Sequence, residues 1–430
     1  MPFFYTRKEK SMSTKNISPE ILSGLINADI TVEGFVLRIR KASGISLVSL
    51  KNGRYIYQAV YIPDLCKTSI SQMCEGAYIE CSVSVKEEKR APYGFELTLK
   101  DFVVISKPLE EYPFNVSQPT LGCTLDESIR HRTVTLKHPT ERAIMQIRSV
   151  AEFAFCEYMQ QNQYIQIHTP KITSLISDKD YINLRYFDRD ATLTASPALH
   201  KIMAVGGFDR VYEVGAGYSP KNKNSIRHLN EFTRLDFELA YADAKSAKET
   251  LTGIIRHITK AVTSQCAPEL ELLGITLATQ ESIPEITYDD AIILLDKDKT
   301  QLDLDPTDEK KLCEYSQTKF DSDYIYVTNL PSEKRPFYEK ENGGFALLSN
   351  GIEVASGGEH ISDYEEQLER LEAFNYNIAD YEPFLSAHKY ALPPISGAGI
   401  GLERFIMALL KLDNIRKATL FPRDLHHLTP

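Results

Sequence analysis

The stretch Gly397-Ala-Gly-Ile-Gly-Leu-Glu-Arg404, running into Phe405-Ile-Met-Ala-Leu-Leu410 and ending Leu420-Phe-Pro-Arg-Asp424, decides how the chain is read. Small residues lead straight into an apolar helical pattern with an arginine on its first turn. The glycines at 397, 399 and 401 are expected to let a ligand approach the backbone and to free the chain from the usual φ limits. Arg404 keeps its charge and presents a planar fork of donors suited to phosphate or a stacked purine. The combination fits a nucleotide held at a strand-to-helix junction. It equally fits a helix packed tightly on a strand. A dinucleotide fingerprint is excluded, because the third glycine of G-x-G-x-x-G would fall on Leu402.

With 430 residues, two domains are the default expectation. A hydrophobic content of 43% and a charged content of 25% are ordinary for a globular protein. No apolar run reaches the length of a membrane span, and the first residues lack a signal-peptide core, so a cytoplasmic protein without a membrane partner is expected. Seven scattered cysteines without a C-x-x-C pair indicate neither a zinc site nor a disulfide framework. A net charge of −10 does not favour general nucleic-acid affinity, yet leaves room for a local basic face such as Arg38, Arg40 and Lys41.

Residues 29–106 read as short alternating strands (30–36, 46–50, 55–61, 78–85 and 95–99) separated by turn clusters. Five strands at that spacing suit a small closed barrel of the OB type. Three prolines between 107 and 125 read as a hinge. Beyond 126 the period changes. Residues 141–162 have helical spacing, either a core helix or a subunit interface, followed by a strand over 164–167. Leu235, Phe237 and Leu239 alternate with Arg234, Asp236 and Glu238, as in a strand with one packed and one polar face. Asp236 and Glu238 then project to one side, either as solvated surface or as candidates for magnesium or a substrate amine. Residues 265–345, with an acidic patch at 296–308, read as surface elaboration.

In company, these stretches acquire a family look. The string from Gly397 to Asp424 resembles motif 3 of the class II aminoacyl-tRNA synthetases, in their aspartyl and asparaginyl branch. Arg210-Val-Tyr-Glu-Val-Gly215, followed by Arg227-His228-Leu-Asn-Glu231-Phe-Thr-Arg-Leu-Asp236-Phe-Glu238, looks like motif 2, and residues 143–170 look like motif 1. The resemblance covers nearly the whole chain and is closest to aspartyl enzymes of the archaeal and eukaryotic type. It implies an α+β architecture: an N-terminal OB-type five-stranded β-barrel (1–106) resembling an anticodon-binding domain, a hinge (107–125), and a class II catalytic domain (126–430) built on an antiparallel sheet flanked by helices. It further implies ATP and Mg2+, an amino acid or related carboxylate as substrate, tRNA as acceptor, and a homodimer formed through motif 1.

Carried over position by position, the resemblance places Arg404 on the motif 3 arginine and His228 on a motif 2 histidine near ATP. Glu238 and Glu353 match acidic positions associated with metal and ATP, and Ser356 the hydroxyl accompanying Glu353. Gly399 and Gly401 fall in the nucleotide cradle. Asp178 stands where a glutamate binds the substrate amine, Ser196 stands in the substrate pocket, and Lys201 matches a lysine that reads an aspartate side chain. In the barrel, Gln58 keeps a base-reading position and Arg40 adds positive charge, whereas Leu47 replaces a base-stacking phenylalanine.

Other positions depart from the pattern. The F-R-x-E of motif 2 is Tyr218-Ser219-Pro220-Lys221, so its bridging arginine is a serine and its glutamate a lysine. Q-S-P-Q is Ala195-Ser196-Pro197-Ala198, and F-D-L-L is Phe345-Ala346-Leu347-Leu348. The arginine that pairs with an aspartate side chain is His360. Removing one charge-assisted contact to a developing charge costs roughly 2.7–4 kcal/mol. Lys221 and Lys223 can return positive charge from new positions, although an ammonium does not reproduce a bidentate fork. The departures therefore point to a divergent paralogue that adenylates a changed substrate. An adenylating amide ligase with a non-tRNA acceptor and a catalytically silent binding protein are the alternatives.

Overall fold

The computed structural model describes residues 15–175, 181–221, 225–298 and 300–429. Its chain divides into two units, Met1–His138 and Pro139–Pro430. In the first, the alternating segments form β1 (Asp29–Ala42), β2 (Ile45–Asn52), β3 (Tyr55–Tyr61), β4 (Tyr78–Glu87) and β5 (Phe95–Ser106). These close into a barrel in the order β1-β2-β3-β5-β4. Every second side chain fills the interior, among them Val32, Val48, Leu50, Ala59, Val83 and Leu97. A β-bulge between Val36 and Arg38 bends β1 so that it can pair with both β2 and β4. From 107 to 124 there is no regular element. The next helix, Leu125–Arg130, begins at a capping box formed by Thr124 and Glu127.

The second unit is built on an eight-stranded sheet. Its strands are β6 (Ile165–Gln166), β10 (Arg210–Tyr218), β11 (Glu231–Ala240), β12 (Glu285–Thr287), β13 (Tyr324–Thr328), β14 (Glu339–Ser349), β15 (Ile352–His360) and β16 (Ile395–Gly401). The order is β12-β13-β14-β15-β16-β11-β10-β6, antiparallel except for the parallel outermost pairs. A small sheet of β7 (Ile172–Thr173), β8 (Ile182–Tyr186) and β9 (Arg189–Leu193) stands beside it in the order β7-β9-β8. The helices Pro139–Gln161 and Ala244–Gln265 lay Ile147, Ala151, Phe155, Ile254 and Ile258 into one core with Leu235, Phe237, Ile400 and Phe405. Cys66, Cys81 and Cys266 are buried, and all seven cysteines are free.

Three expectations are corrected. The strand over 164–167 contracts to two residues, because only Ile165 and Gln166 align with β10. Residues 265–345 are more than surface elaboration: β12, β13 and most of β14 extend the central sheet, and Tyr288, Ile292, Leu312 and Ile325 form their own core. Within the acidic patch, Asp308 is wholly buried, paired with Lys297 and locked with Asp305 in a capping box. Third, of the two readings offered for Asp236 and Glu238, solvated surface is excluded. Each is 1% exposed.

Candidate active site

The register of three central strands builds the site. On β11 the charged residues Arg234, Asp236 and Glu238 recur at every second position and share one side of the sheet. On β16 they stand opposite Gly401, Gly399 and Gly397 respectively. A charged row is thus laid against a glycine row. A Cβ on Gly397 would lie 1.3 Å from Oε2 of Glu238, and one on Gly399 would lie 2.1 Å from Nη2 of Arg234 and 2.4 Å from Oδ1 of Asp236. The glycines thus also serve the packing of the paired strand. None of the three has positive φ, and a Cβ on Gly397 or Gly399 would run into side chains of the neighbouring strand. Gly401 is different, with nothing nearer than 3.9 Å.

Two adjoining cavities open over this row. The first, about 330 Å³, is walled by Ser196, Lys201, Asp236, Glu238, Arg335, Glu339 and His360. The second, about 200 Å³, is walled by Ser219, Lys221, His228, Phe232, Glu353, Gly401 and Arg404. Arg234, Ser356 and Gly399 line both.

Electrostatics differ between them. In the first cavity, Asp236 receives Nε and Nη2 of Arg234, each at 2.8 Å, and Nζ of Lys201 at 3.2 Å. Burial alone would raise its pKa, but the two cations hold it down at about 2. Arg335 grips Glu339 through two bonds of 2.6 and 2.8 Å. Glu238 lacks such a grip, with Nζ of Lys201 at 3.8 Å and Nδ1 of His360 at 3.2 Å. Burial pushes its carboxyl up to about 7, opposed only in part by Lys201. Burial, reinforced by Lys201 and Arg335, takes His360 down to about 3, so its ring is neutral.

In the second cavity, Arg404 sits on the first turn of the helix Leu402–Leu409, as expected. Its Nε donates to the carbonyl of Arg227 and its Nη1 to that of Glu353, both at 3.3 Å. These bonds fix the plane of the guanidinium. His228, whose Nδ1 lies 2.6 Å from Oγ of Ser225, is driven down to about 4 by burial and by Arg404, Lys221 and Arg227. Phe232 supplies an aromatic wall and Arg404 a cationic one, a pairing that suits a flat purine. The residues present therefore fit a nucleotide.

The structure gathers Ser196, Lys201, Glu238 and His360 in one cavity and Ser219, Lys221, His228, Glu353, Gly401 and Arg404 in the other. Glu238 and Glu353 do not share a cavity. Among the described residues no group of three or more His, Cys, Asp or Glu side chains is placed to hold a metal ion. Asp178 and Lys223 lie outside the described residues. In the barrel unit, Arg40 is exposed on β1 opposite Leu47, and Gln58 donates to Glu96 at 3.2 Å. The pair Arg335–Glu339 went unread in the sequence, and Arg234 was read on the polar face of its strand but not as part of the site. For Arg234 the signal was its place in the same two-residue period as Asp236 and Glu238. No helix among the described residues is long and apolar enough to cross a membrane.

Comparison with known proteins bears directly on this geometry. The family model of tRNA synthetases class II (D, K and N) matches residues 124–425. An aspartate–tRNA(Asp) ligase of Thermoplasma acidophilum is 30% identical over 415 residues, covering 94% of this chain and 96% of that protein. An aspartate–tRNA(Asp/Asn) ligase of Thermus thermophilus is 33% identical over 358 residues, covering 80% and 85%. Among solved structures, asparaginyl-tRNA synthetase from Pyrococcus horikoshii, complexed with asparaginyl-adenylate, superposes with a TM-score of 0.87 at 24% identity, covering 95% of this chain and 97% of that one. Aspartyl-tRNA synthetase from Entamoeba histolytica gives 0.86 at 23%, covering 100% and 96%. A barrel ahead of a mostly antiparallel sheet, a match across the whole second unit and kinship along nearly the full length lead to one statement: the chain belongs to the class II tRNA synthetases, in their aspartyl and asparaginyl branch.

Proposed function

We propose that the chain activates an amino acid, or a related carboxylate, as an acyl-adenylate and passes the acyl group to tRNA or another acceptor. The observation that carries this reading is the pair of cavities sharing Arg234, Ser356 and Gly399. One wall set suits a purine nucleotide and the other is lined with charge suited to a small zwitterion. A carboxylate oxygen held where they meet would attack the α-phosphorus as pyrophosphate leaves. That step depends on positioning and on cations beside the phosphorus more than on an acid–base pair. Arg404, Arg234 and Arg227 are planar cations lining the nucleotide cavity, and Lys221 adds an exposed ammonium. Ser219, buried at the end of β10, brings no charge.

Mg2+ typically takes one or two carboxylates together with phosphate oxygens and water, and would neutralise charge on the phosphates. Glu353 with Ser356 is the pair in the nucleotide cavity; Glu238 lies in the other. We further propose that Arg40 and Gln58 contact the acceptor RNA, that the protein works in the cytoplasm, and that it is a homodimer.

Pyrophosphate exchange over all twenty amino acids tests adenylation. Exchange with at least one is expected. If none exchanges although Mg-ATP binds, the silent-binder reading replaces it, which the uncharged Ser219 already favours. Restoring S219R together with K221E would then create activity absent from the parent.

A further inference from the structure

Arg227 stands in the wall of the second cavity, and its backbone is pinned there from the C-terminal part of the chain. Three successive carbonyls are bonded. Ser225 accepts from Nη1 of Arg416 at 3.2 Å, Ile226 from the amide of Ile415 at 2.9 Å, and Arg227 from Nε of Arg404 at 3.3 Å. These bonds settle the main chain. The side chain needs a hold of its own, because a long cationic stem keeps its rotamer freedom unless something grips the end.

That hold comes from the stretch read in the sequence as surface elaboration. Glu309 lies on the first turn of the helix Pro306–Phe320, whose start is fixed by the capping box of Asp305 and Asp308. Its carboxylate accepts from Nη2 of Arg227, and the two side chains are only 12% and 15% exposed. Glu309 itself does not line the nucleotide cavity. Among the described residues the Arg227 guanidinium has no other hydrogen bond, and its Nε is buried without a partner. A buried donor left open beside a cavity suits an anion that arrives with a ligand. Glu353 on β15 and Arg404 on the helix Leu402–Leu409 are the other charges facing Glu309. On its own helix Asp308 is paired with Lys297, and Lys310 with Glu314. Burial raises the Glu309 carboxyl to about 7, opposed by Arg227 and reinforced by Glu353. The grip is therefore charged above that value and weakens below it.

We propose that Glu309 is a positioning residue for the nucleotide: it aims the guanidinium of Arg227 at the phosphates without touching them itself. This rests on the adenylation reading above and names what organises its nucleotide cavity. Ser219 brings no charge to that cavity, so a planar cation whose orientation is enforced from behind gains weight there. A binding group held by an outer partner loses less freedom when the ligand arrives.

Calorimetry of the full chain with Mg-ATP, and with adenosine as the phosphate-free probe, tests this. E309Q is expected to lose about 10-fold in Mg-ATP affinity, the lower end of what removing an outer partner costs at metal centres. Adenosine should bind E309Q as it binds the parent. The Mg-ATP loss should shrink as pH is lowered from about 8 to about 6, where the parent carboxyl becomes neutral too. Added to R227A, E309Q should cost nothing further, since the group it acts through is already gone. E309D, with the charge on a shorter arm, should fall between parent and E309Q, and it reads the same coupling if the glutamine variant does not fold. Equal or tighter Mg-ATP binding by E309Q overturns the inference and leaves the nucleotide site standing. So do equal losses for Mg-ATP and adenosine, or additive losses in the double variant. A parent that binds neither Mg-ATP nor adenosine overturns the adenylation reading as well.

Discussion

Two backbone carbonyls fix the guanidinium of Arg404 in the wall of the second cavity, where it is proposed to meet the nucleotide. Arg404→Ala is expected to weaken Mg-ATP binding by about 10- to 100-fold, in line with roughly 1.5–3 kcal/mol for a hydrogen bond to a charged group. Calorimetry with Mg-ATP reads this, and an unchanged affinity would remove Arg404 from the site. Glu238 makes a second prediction at this scale. Its carboxyl rises from 4.5 to about 7 on folding, so between those values the folded state binds more protons than the unfolded one. Its contribution is fully present below pH 4.5 and is lost as pH rises through about 7. E238Q should therefore gain on the parent in melting temperature from pH 4.5 to 7, by a few degrees, and hold level above. A difference independent of pH would contradict the buried ionisation. Residue identities at matched motif positions were legible in the sequence, as Arg404 and His228 show. Whether an acid is satisfied was not. Asp236 and Glu238 read alike two positions apart, yet one is hydrogen-bonded by two cations and the other has only Lys201 at 3.8 Å, which only the placement of Arg234 and Lys201 decides.

At the scale of the element, the spacing of glycines 397, 399 and 401 was legible and its reason was not. The period of two matched a strand, but what Gly397 and Gly399 accommodate is the row Glu238, Asp236 and Arg234 on the paired strand, a fact of register between segments far apart in sequence. Two substitutions separate the reasons. Gly397→Ala places a methyl on the Glu238 carboxylate and should cost about 1–3 kcal/mol, the range for overpacking a filled interior. Gly401→Ala meets nothing nearer than 3.9 Å at a φ of −80° and should stay within about 0.5 kcal/mol of the parent. Denaturant melts of both check this, and equal losses would refute the register argument. The stretch 265–345 was misread for a related reason. Its strands are short and interleaved with polar helices, so the sequence shows a polar average while the sheet still gains β12 and β13.

For the molecule as a whole, the barrel was legible in its repeated short-range period and the central sheet mainly through the family resemblance, whereas subunit contacts carry no period of their own. The helix Pro139–Gln161 buries one side among the core but turns Phe153 outward at 66% exposure. Ile165, on the outermost strand β6, is 45% exposed. An edge strand with an exposed apolar residue invites cover, and a large aromatic ring beyond the core is the type of residue that anchors an interface. Both lie within the stretch resembling motif 1, so the proposed homodimer should bury them. Sedimentation equilibrium of the full chain is expected to give twice the 48.7 kDa mass of one chain. Phe153→Asp would set a charge into the contact and shift the population toward monomer by at least tenfold in dissociation constant, about the effect of losing one interface anchor, while leaving far-ultraviolet circular dichroism unchanged. A parent already monomeric at micromolar concentration would show that the ring faces solvent, and the proposed assembly would fall with it.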